Sequence, residues 1–377
     1  MDLTLTDEQA ALRATVEEFA RKEVAPVIGE FYERGEFPYQ IVAKMGAMGL
    51  FGLPIAEEYG GMGGDYFALC LALEELARVD SSVAITLEAA VSLGAMPIYR
   101  FGTEAQKRRW LPALTTGEKL GAFGLTEPGG GSDAGATRTA ARLDGEEWVI
   151  NGSKAFITNS GTDITALITV TALTGERQIS SIIVPAGTPG LRVAPKYSKV
   201  GWCASDTREL FFDDVRVPAE NLVGERGRGY AQFLSILDEG RIAIAALATG
   251  LAQGCVDESL RYAREREAFG HPIGHYQAIQ FAIADSEARA HTARLAYYAA
   301  AAKMLRGEPF KKEAAIAKLV SSNAAMDNAR AATQVFGGYG FMNESPVGRF
   351  YRDAKILEIG EGTSEVQRML IARQLGL

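Results

Sequence analysis

The chain has 377 residues, 47% of them hydrophobic and 23% charged, which supports a large core and, by length, two or three domains. Lys and Arg total 39 against 47 Asp and Glu, a net charge of -8, and no basic stripe is present, so a nucleic-acid or other polyanion partner is excluded. No uninterrupted apolar run of about 18 residues marks a membrane span, and the three histidines and three cysteines carry no HExxH or CxxC spacing that would hold a metal.

The amino terminus, MDLTLTDEQA, is acidic and polar, the opposite of a signal or transit peptide. Cys70, Cys203 and Cys255 are widely spaced and read as reduced thiols. Together they predict a cytoplasmic protein of bacterial type, or a matrix protein if the chain is a processed mitochondrial one. Thr6 and Gln9 make a capping box ahead of Leu12, Val16, Phe19 and Ala20, which recur at helical spacing. Helical patterning with glycine-rich breaks, such as EEYGGMGGDY, continues to about Glu118, so residues 1–118 are expected to form an N-terminal helical domain.

The patterning changes near Lys119. In WVINGSKAFIT, Asn151 and Gly152 fall between two β-prone runs and predict a tight hairpin turn. Further strands are expected at Ile164–Val170, Ile179–Val184 and Glu209–Phe212. Residues 119–225 therefore read as a middle antiparallel β domain, a sandwich or barrel, with no GxGxxG or Walker loop to suggest a nucleotide fold of βαβ type. From Tyr230 to Ala263 an Ala-rich helical period returns. His291, Leu295, Tyr298, Ala302 and Leu305 then form a stripe at alternating spacings of four and three, predicting close antiparallel packing. Residues 226–377 are expected to be a C-terminal helical bundle, giving an α+β chain of three domains.

Four stretches carry chemistry-bearing residues. LTEPGGGSDAGATRT places Gly129–Gly131 among Thr126, Ser132 and Asp133, a loop whose backbone can approach a flat or phosphorylated ligand. REREAFGHPIGHYQ offers a cation at Arg266, an aromatic face at Phe269 and an amide at Gln277, and QVFGGYGF is a second glycine loop after a helix. YRDAKILEIGEGTSEVQRML sets one carboxylate, Glu361, between Gly360 and Gly362. Ser364 and Gln367 follow at capping-box spacing, predicting a helix start at Ser364. A lone carboxylate beside helix-terminal amides suits proton removal next to a carbonyl whose oxygen the amides hold.

In order and wording, LTEPGGGSD, KAFITNSG, SDTRELFFDDVRVP, REREAFGHPI, QVFGGYGF and YRDAKILEIGEGTSEVQR resemble the acyl-CoA dehydrogenase family of flavoenzymes, over nearly the whole chain. The resemblance implies FAD as cofactor, an acyl-CoA thioester as substrate, an electron-transfer flavoprotein as electron acceptor and a homotetramer built as a dimer of dimers. By similarity, Phe123, Leu125, Thr126, Gly131, Ser132, Phe156 and Thr158 would line the flavin ring, and Thr363 and Ser364 would complete that site. Arg266, Phe269 and Gln277, with Gln334, Gly337 and Gly338, would meet the adenosine and diphosphate portion, the first three from a neighbouring subunit. Glu361 would be the general base, and Ser132, Asp238, Arg241 and Gly362 would touch substrate.

Two departures from the family pattern matter. Members acting on branched substrates carry the base on a C-terminal-domain helix, at the residue before an arginine; here that residue is Gly240, ahead of Arg241, which leaves Glu361 as the base. Phe156 stands where many relatives have a tryptophan over the flavin. An oxygen-using oxidase or monooxygenase on the same fold, and a non-catalytic acyl-CoA-binding scaffold, are the alternative readings.

Overall fold

The computed structural model describes residues 4–377; Met1 to Leu3, the start of the expected N-terminal domain, lie outside the described residues. The first helix, α1 (Asp7–Phe19), starts at the expected capping box: the Gln9 amide donates to Thr6 Oγ1 (3.2 Å) and the Thr6 amide to Gln9 Oε1 (3.1 Å). Six more helices follow: α2 (Ile28–Arg34), α3 (Tyr39–Ala47), α4 (Tyr66–Ala77), α5 (Ser81–Glu88), α6 (Met96–Phe101) and α7 (Glu104–Thr115). Asp80 caps α5 by accepting from the Ser82 and Val83 amides. A wide π-helical stretch, Ala89–Ala95, joins α5 to α6, so residues 81–101 form one rod. That rod has the mean hydropathy of a membrane span, 1.4, yet 94% of the window is buried inside the protein. It can be so apolar because protein surrounds it on every side.

The middle of the chain supplies β1 (Leu120–Gly124), β2 (Ala140–Asp144), β3 (Glu147–Thr158), β4 (Thr165–Gly175), β5 (Gln178–Pro185), β6 (Leu191–Val193), β7 (Thr207–Pro218) and β8 (Leu222–Val223). They make one sheet in the order β6-β7-β3-β2-β4-β5-β8, with β1 added alongside β4. Most pairings are antiparallel as expected, but β1 runs parallel to β4, and β2 meets β4 in parallel at Ala140 and Leu173. The face formed by Trp148, Ile150, Ile168, Val170, Ile182 and Val215 makes a second core separate from the helical one.

The hairpin expected at Asn151–Gly152 is not there. Strand β3 runs straight through both residues and only bulges, its register against β7 shifting between Ile150 and Gly152. The pair is used across the sheet instead of in a turn: Asn151 Nδ2 donates to Asp214 Oδ1 (2.9 Å) and Asn151 Oδ1 accepts from the Asp214 amide (2.9 Å). Gly152, at φ 145°, lies so close to β2 that a Cβ there would sit 2.6 Å from Thr139 Oγ1. The true turn comes earlier, at Gly145 (φ 64°), joining β2 to β3.

The last segment contains α8 (Gly229–Glu265), a two-residue ribbon of β9 (Glu267–Ala268) and β10 (His271–Pro272), then α9 (Gln277–Leu305), α10 (Lys311–Phe336), α11 (Pro346–Leu357) and α12 (Ser364–Gln374). Helix α8 crosses α4 almost backbone to backbone. A Cβ on Gly250 would fall 2.1 Å from the Glu74 carbonyl oxygen, and one on Gly254 2.2 Å from that of Arg78. Through this crossing the N- and C-terminal helices share one continuous core.

The stripe expected to pack on α9 is mostly outside it. Tyr298 is buried, but His291, Leu295 and Leu305 are exposed. The helix instead turns Ser286, Ala290, Ala293, Tyr297, Ala300 and Ala301 inward. Small side chains let the helix axes approach more closely than a Leu and Tyr stripe would.

Candidate active site

After α11 the chain reverses through Glu358–Gly362 and enters α12. Glu361 takes φ 51° in this turn and Gly362 φ 93°, so a carboxylate side chain occupies a left-handed backbone position that costs on the order of 1 kcal/mol or more for a non-glycine residue. The turn is clamped. Lys318 Nζ donates to the carbonyl oxygens of Leu357 (2.7 Å) and Gly362 (2.8 Å), and Ser322 Oγ donates to that of Leu357 (2.8 Å). Gln367 Nε2 donates to the Gly362 carbonyl (2.9 Å), and the Ser364 amide to that of Glu358 (2.9 Å). The helix cap differs from the expected one: Thr363, not Ser364, is the cap, its Oγ1 accepting from the Val366 amide (3.3 Å). Ser364 becomes the first helical residue and is buried, and Gln367 turns its amide to Gly362 rather than back to Ser364. The amide of Glu361 donates no hydrogen bond to the described residues.

The Glu361 side chain points back toward α8. A Cβ built on Gly240 would lie 3.0 Å from Glu361 Oε2 and 3.9 Å from Oε1 of Glu88, which arrives from α5 and is fully buried. The glycine at 240, which cannot itself be a base, therefore also makes room for the carboxyl at 361. As two carboxylates, Glu88 and Oε2 of Glu361 have no donor among the described residues. One shared proton supplies the donor. Burial, then the Glu361 charge, push Glu88 well above the usual carboxylate range. Burial also raises Glu361, opposed by a hydrogen bond from Glu88 and by the charges of Lys318 and Arg241. Both carboxyls are thus pushed up by burial, Glu88 furthest, and they titrate as a pair.

Asp238 and Arg241 form an ion pair with each other, and Lys311 Nζ adds a contact to Asp238 at 3.2 Å. Arg241 is buried and reaches Glu361 through its charge. Glu239 turns away to Arg100 (3.1 Å), as its helical offset predicts.

The other expected site residues fall into two groups. In the first, Phe123 on β1 stacks on Phe233 of α8 with ring centroids 5.0 Å apart. The Leu125 carbonyl accepts from Lys154 Nζ (3.0 Å) and that of Thr126 from the Ala155 amide (2.8 Å). Lys154 is a buried ammonium, pushed down to about 8 by desolvation and held by Glu127 at 2.8 Å; it fixes the base of the glycine loop. Beyond it Gly129 and Gly131 have open space where a Cβ would be, and Ser132 is exposed. Phe156 stands out from β3 at φ 62°, 66% exposed, beside Tyr197, while Thr158 ends the strand paired with Thr207.

In the second group, Arg266, Gly337 and Gly338 share a cleft of about 540 Å³ with Tyr262, Phe336 and Tyr339. Phe269 lies on the ribbon at φ 52°, 94% exposed, with its ring edge toward Tyr276. Gln277 and Gln334 are exposed, at the first turn of α9 and the last turn of α10. No hydrogen bond, ion pair or ring contact among the described residues joins this group to the first. Sequence reading missed Glu88 and Lys318. Each left a signal: a glutamate inside the apolar run VAITLEAAVSLGAM, and a lysine in the small-residue helix face AIAKLVSS.

The two groups fit the two ends of a flavin dinucleotide. A protruding aromatic beside an open glycine loop gives a flat ring a wall and close backbone approach. A guanidinium beside two unobstructed glycines suits a diphosphate.

Fold and site together suit a flavoenzyme. The chain matches the acyl-CoA dehydrogenase N-terminal domain over residues 6–118, the middle domain over 122–215 and the C-terminal domain over 227–376. It belongs to the acyl-CoA dehydrogenase family. It is 50% identical to a probable acyl-CoA dehydrogenase, YngJ, of Bacillus subtilis over 100% of both chains. The butyryl-CoA dehydrogenase structure from Megasphaera elsdenii superposes with a TM-score of 0.96 at 43% identity, covering 100% of each chain. An acyl-CoA dehydrogenase complexed with FAD from Bacillus anthracis superposes with a TM-score of 0.93 at 34% identity, covering 98% of this chain and 67% of that one.

Proposed function

We propose that the protein oxidises a short straight-chain acyl-CoA to the trans-2-enoyl-CoA, with Glu361 as base and FAD as oxidant. The observation that carries this reading is a half-buried carboxyl, its Oε2 shielded from solvent and without a partner, on a clamped left-handed turn whose own amide is unengaged. Glu361 takes the α-proton: the C–H bond breaks, an O–H bond forms on the carboxylate, and the electron pair moves toward the thioester oxygen. The Glu361 amide is placed to hold that oxygen as charge develops on it. Burial raises the proton affinity of Glu361, which an acceptor for so weak a carbon acid requires. When bound, FAD would supply the two-electron acceptor for the β-hydrogen. Phe123, Leu125, Thr126, Gly131, Ser132, Phe156 and Thr158 would bear on its ring, with Thr363 and Ser364 beside them, and Arg266, Phe269, Gln277, Gln334, Gly337 and Gly338 on its adenosine diphosphate end. Ser132, Arg241 and Gly362 would border the substrate, with Asp238 acting through Arg241.

The short-chain assignment is supported by the similarity to a butyryl-CoA dehydrogenase and by the glycine at 240. An electron-transfer flavoprotein as acceptor, a homotetramer, and domain limits at 118 and 225 complete the reading. So does its compartment, cytoplasmic in a bacterium and the matrix in a mitochondrial setting.

The test is anaerobic addition of saturated acyl-CoAs of increasing length to the purified yellow protein, following flavin absorbance, with Glu361→Gln in parallel. Bleaching by the short chains, abolished by the substitution while FAD stays bound, is the expected result. A yellow protein that no thioester bleaches sinks the substrate assignment. Rapid recolouring in air would favour an oxidase.

A further inference from the structure

Lys318 has no role in the mechanism above, yet it is the side chain that closes the catalytic turn. It projects from the middle of α10, is fully buried, and donates to the carbonyls of Leu357 and Gly362, one at each end of the turn that carries Glu361. No carboxylate lies within ion-pair distance of it among the described residues. A buried ammonium with only neutral acceptors is expensive to keep, so something must offset its charge. Desolvation brings Lys318 down to about 8 even with the Glu361 charge, the largest raising influence on it, acting against the shift.

Other charges around the turn have partners of their own. From α8, Arg241 also lowers Glu361 but is ion-paired with Asp238. Beside the turn, Glu358 is paired with Lys355, and on α12 Glu365 is paired with Arg368. From α5 comes Glu88, whose carboxyl burial pushes well above the usual range. What remains is one negative charge on the carboxyl pair and one positive charge on Lys318.

We propose that Lys318 is a positioning residue for α-proton removal: it straps the turn so that Glu361 keeps its left-handed backbone, and its charge keeps Glu361 ionised between turnovers. The two functions separate experimentally. Lys318→Gln retains an N–H donor for the turn and removes the charge; Lys318→Met removes both.

The experiment rests on the acyl-CoA dehydrogenase reading and uses the FAD-loaded enzyme with butyryl-CoA, following anaerobic flavin reduction from about pH 5.5 to about pH 9. Loss of the ammonium raises the proton affinity of Glu361, so the acid limb of the rate profile moves up by about one unit in both variants. That is about a 10-fold loss below the limb, recovered as the pH rises. Lys318→Met alone also lowers the alkaline plateau, because its turn is no longer strapped. Independently of turnover, the infrared carboxyl band that disappears in Glu361→Gln should persist to higher pH in both variants. An unmoved limb and an unmoved band overturn the proposal even if the plateau falls, since a purely structural lysine would do that. Failure of both variants to fold assigns Lys318 to the framework and overturns it as well. Failure of the unsubstituted enzyme to bleach with any acyl-CoA would instead sink the functional reading.

Discussion

Gly240→Ala tests the geometry of the base with one methyl group. Gly240 is buried in the middle of α8, and replacing a helix-interior glycine by alanine ordinarily stabilises by about 1 kcal/mol. Here the added Cβ would lie 3.0 Å from Glu361 Oε2, where ordinary contact begins at 3.4 Å, so the carboxylate has to give by 3.4 − 3.0 = 0.4 Å. The turn cannot retreat as a block, because Lys318, Ser322 and Gln367 hold its carbonyls. The side chain must rotate instead. A displacement of about 1 Å at a reacting group costs on the order of 100-fold in rate, so one of about 0.4 Å should cost roughly 5- to 10-fold. We therefore expect stopped-flow flavin reduction to slow by that factor while thermal unfolding stays level or rises by a few degrees. A rate within twofold of the parent would refute the placement of the carboxylate against α8. A slower rate accompanied by a lower Tm would assign the loss to damaged packing.

Glu361→Gln should lower flavin reduction by ~10² to 10⁴ with FAD still bound, read by the same absorbance. Glu88→Gln bears on stability through pH: native Glu88 keeps a proton that the unfolded chain releases above about pH 4.5, so the fold loses stability relative to the unfolded chain as pH rises. The variant lacks that slope, and its Tm should gain on the parent's from pH 5 to pH 9, as about six matched melts would show; a constant difference would count against a protonated Glu88. Gly250→Ala drives a Cβ to 2.1 Å from the Glu74 carbonyl and should cost about 1–3 kcal/mol or more by urea unfolding, with no change in the pH profile of whatever folds. Thr363→Ala removes the α12 cap and should cost about 1 kcal/mol, with a modest loss of rate because the cap adjoins the base.

Local rules written into neighbouring residues were legible in advance. The Thr6–Gln9 box, the Ala-rich α8 and the change to strands near Lys119 each depend on residues close in sequence. Asn151–Gly152 misled because the dipeptide suits either a turn or a bulge, and only the partner strand, through Asp214, decides between them. The stripe on α9 misled for a related reason: several faces of the helix have helical periodicity, and the one that packs is chosen by how closely α8 and α10 approach. In the site, Glu361 stood out because glycines flank it. Glu88 and Lys318 lie 273 and 43 positions from it, counting 361 − 88 and 361 − 318, and their nearness to the base is a property of the bundle. Burial made them informative, since a charged residue on an exposed helix face is ordinary and one deep in a core is not.

The clamp on the turn also sets an order of events in the making of the protein. Lys318 is synthesised about forty residues before the carbonyls of Leu357 and Gly362 that accept from it, and Glu88 long before either. A ribosome-bound chain that has released α10 but not α12 holds an ammonium with nowhere to bury it, which disfavours closing the bundle early. The groups that make the carboxylate reactive and those that let the core seal are the same, so a chain cut short of residue 357 can neither seal that corner of its core nor present a base.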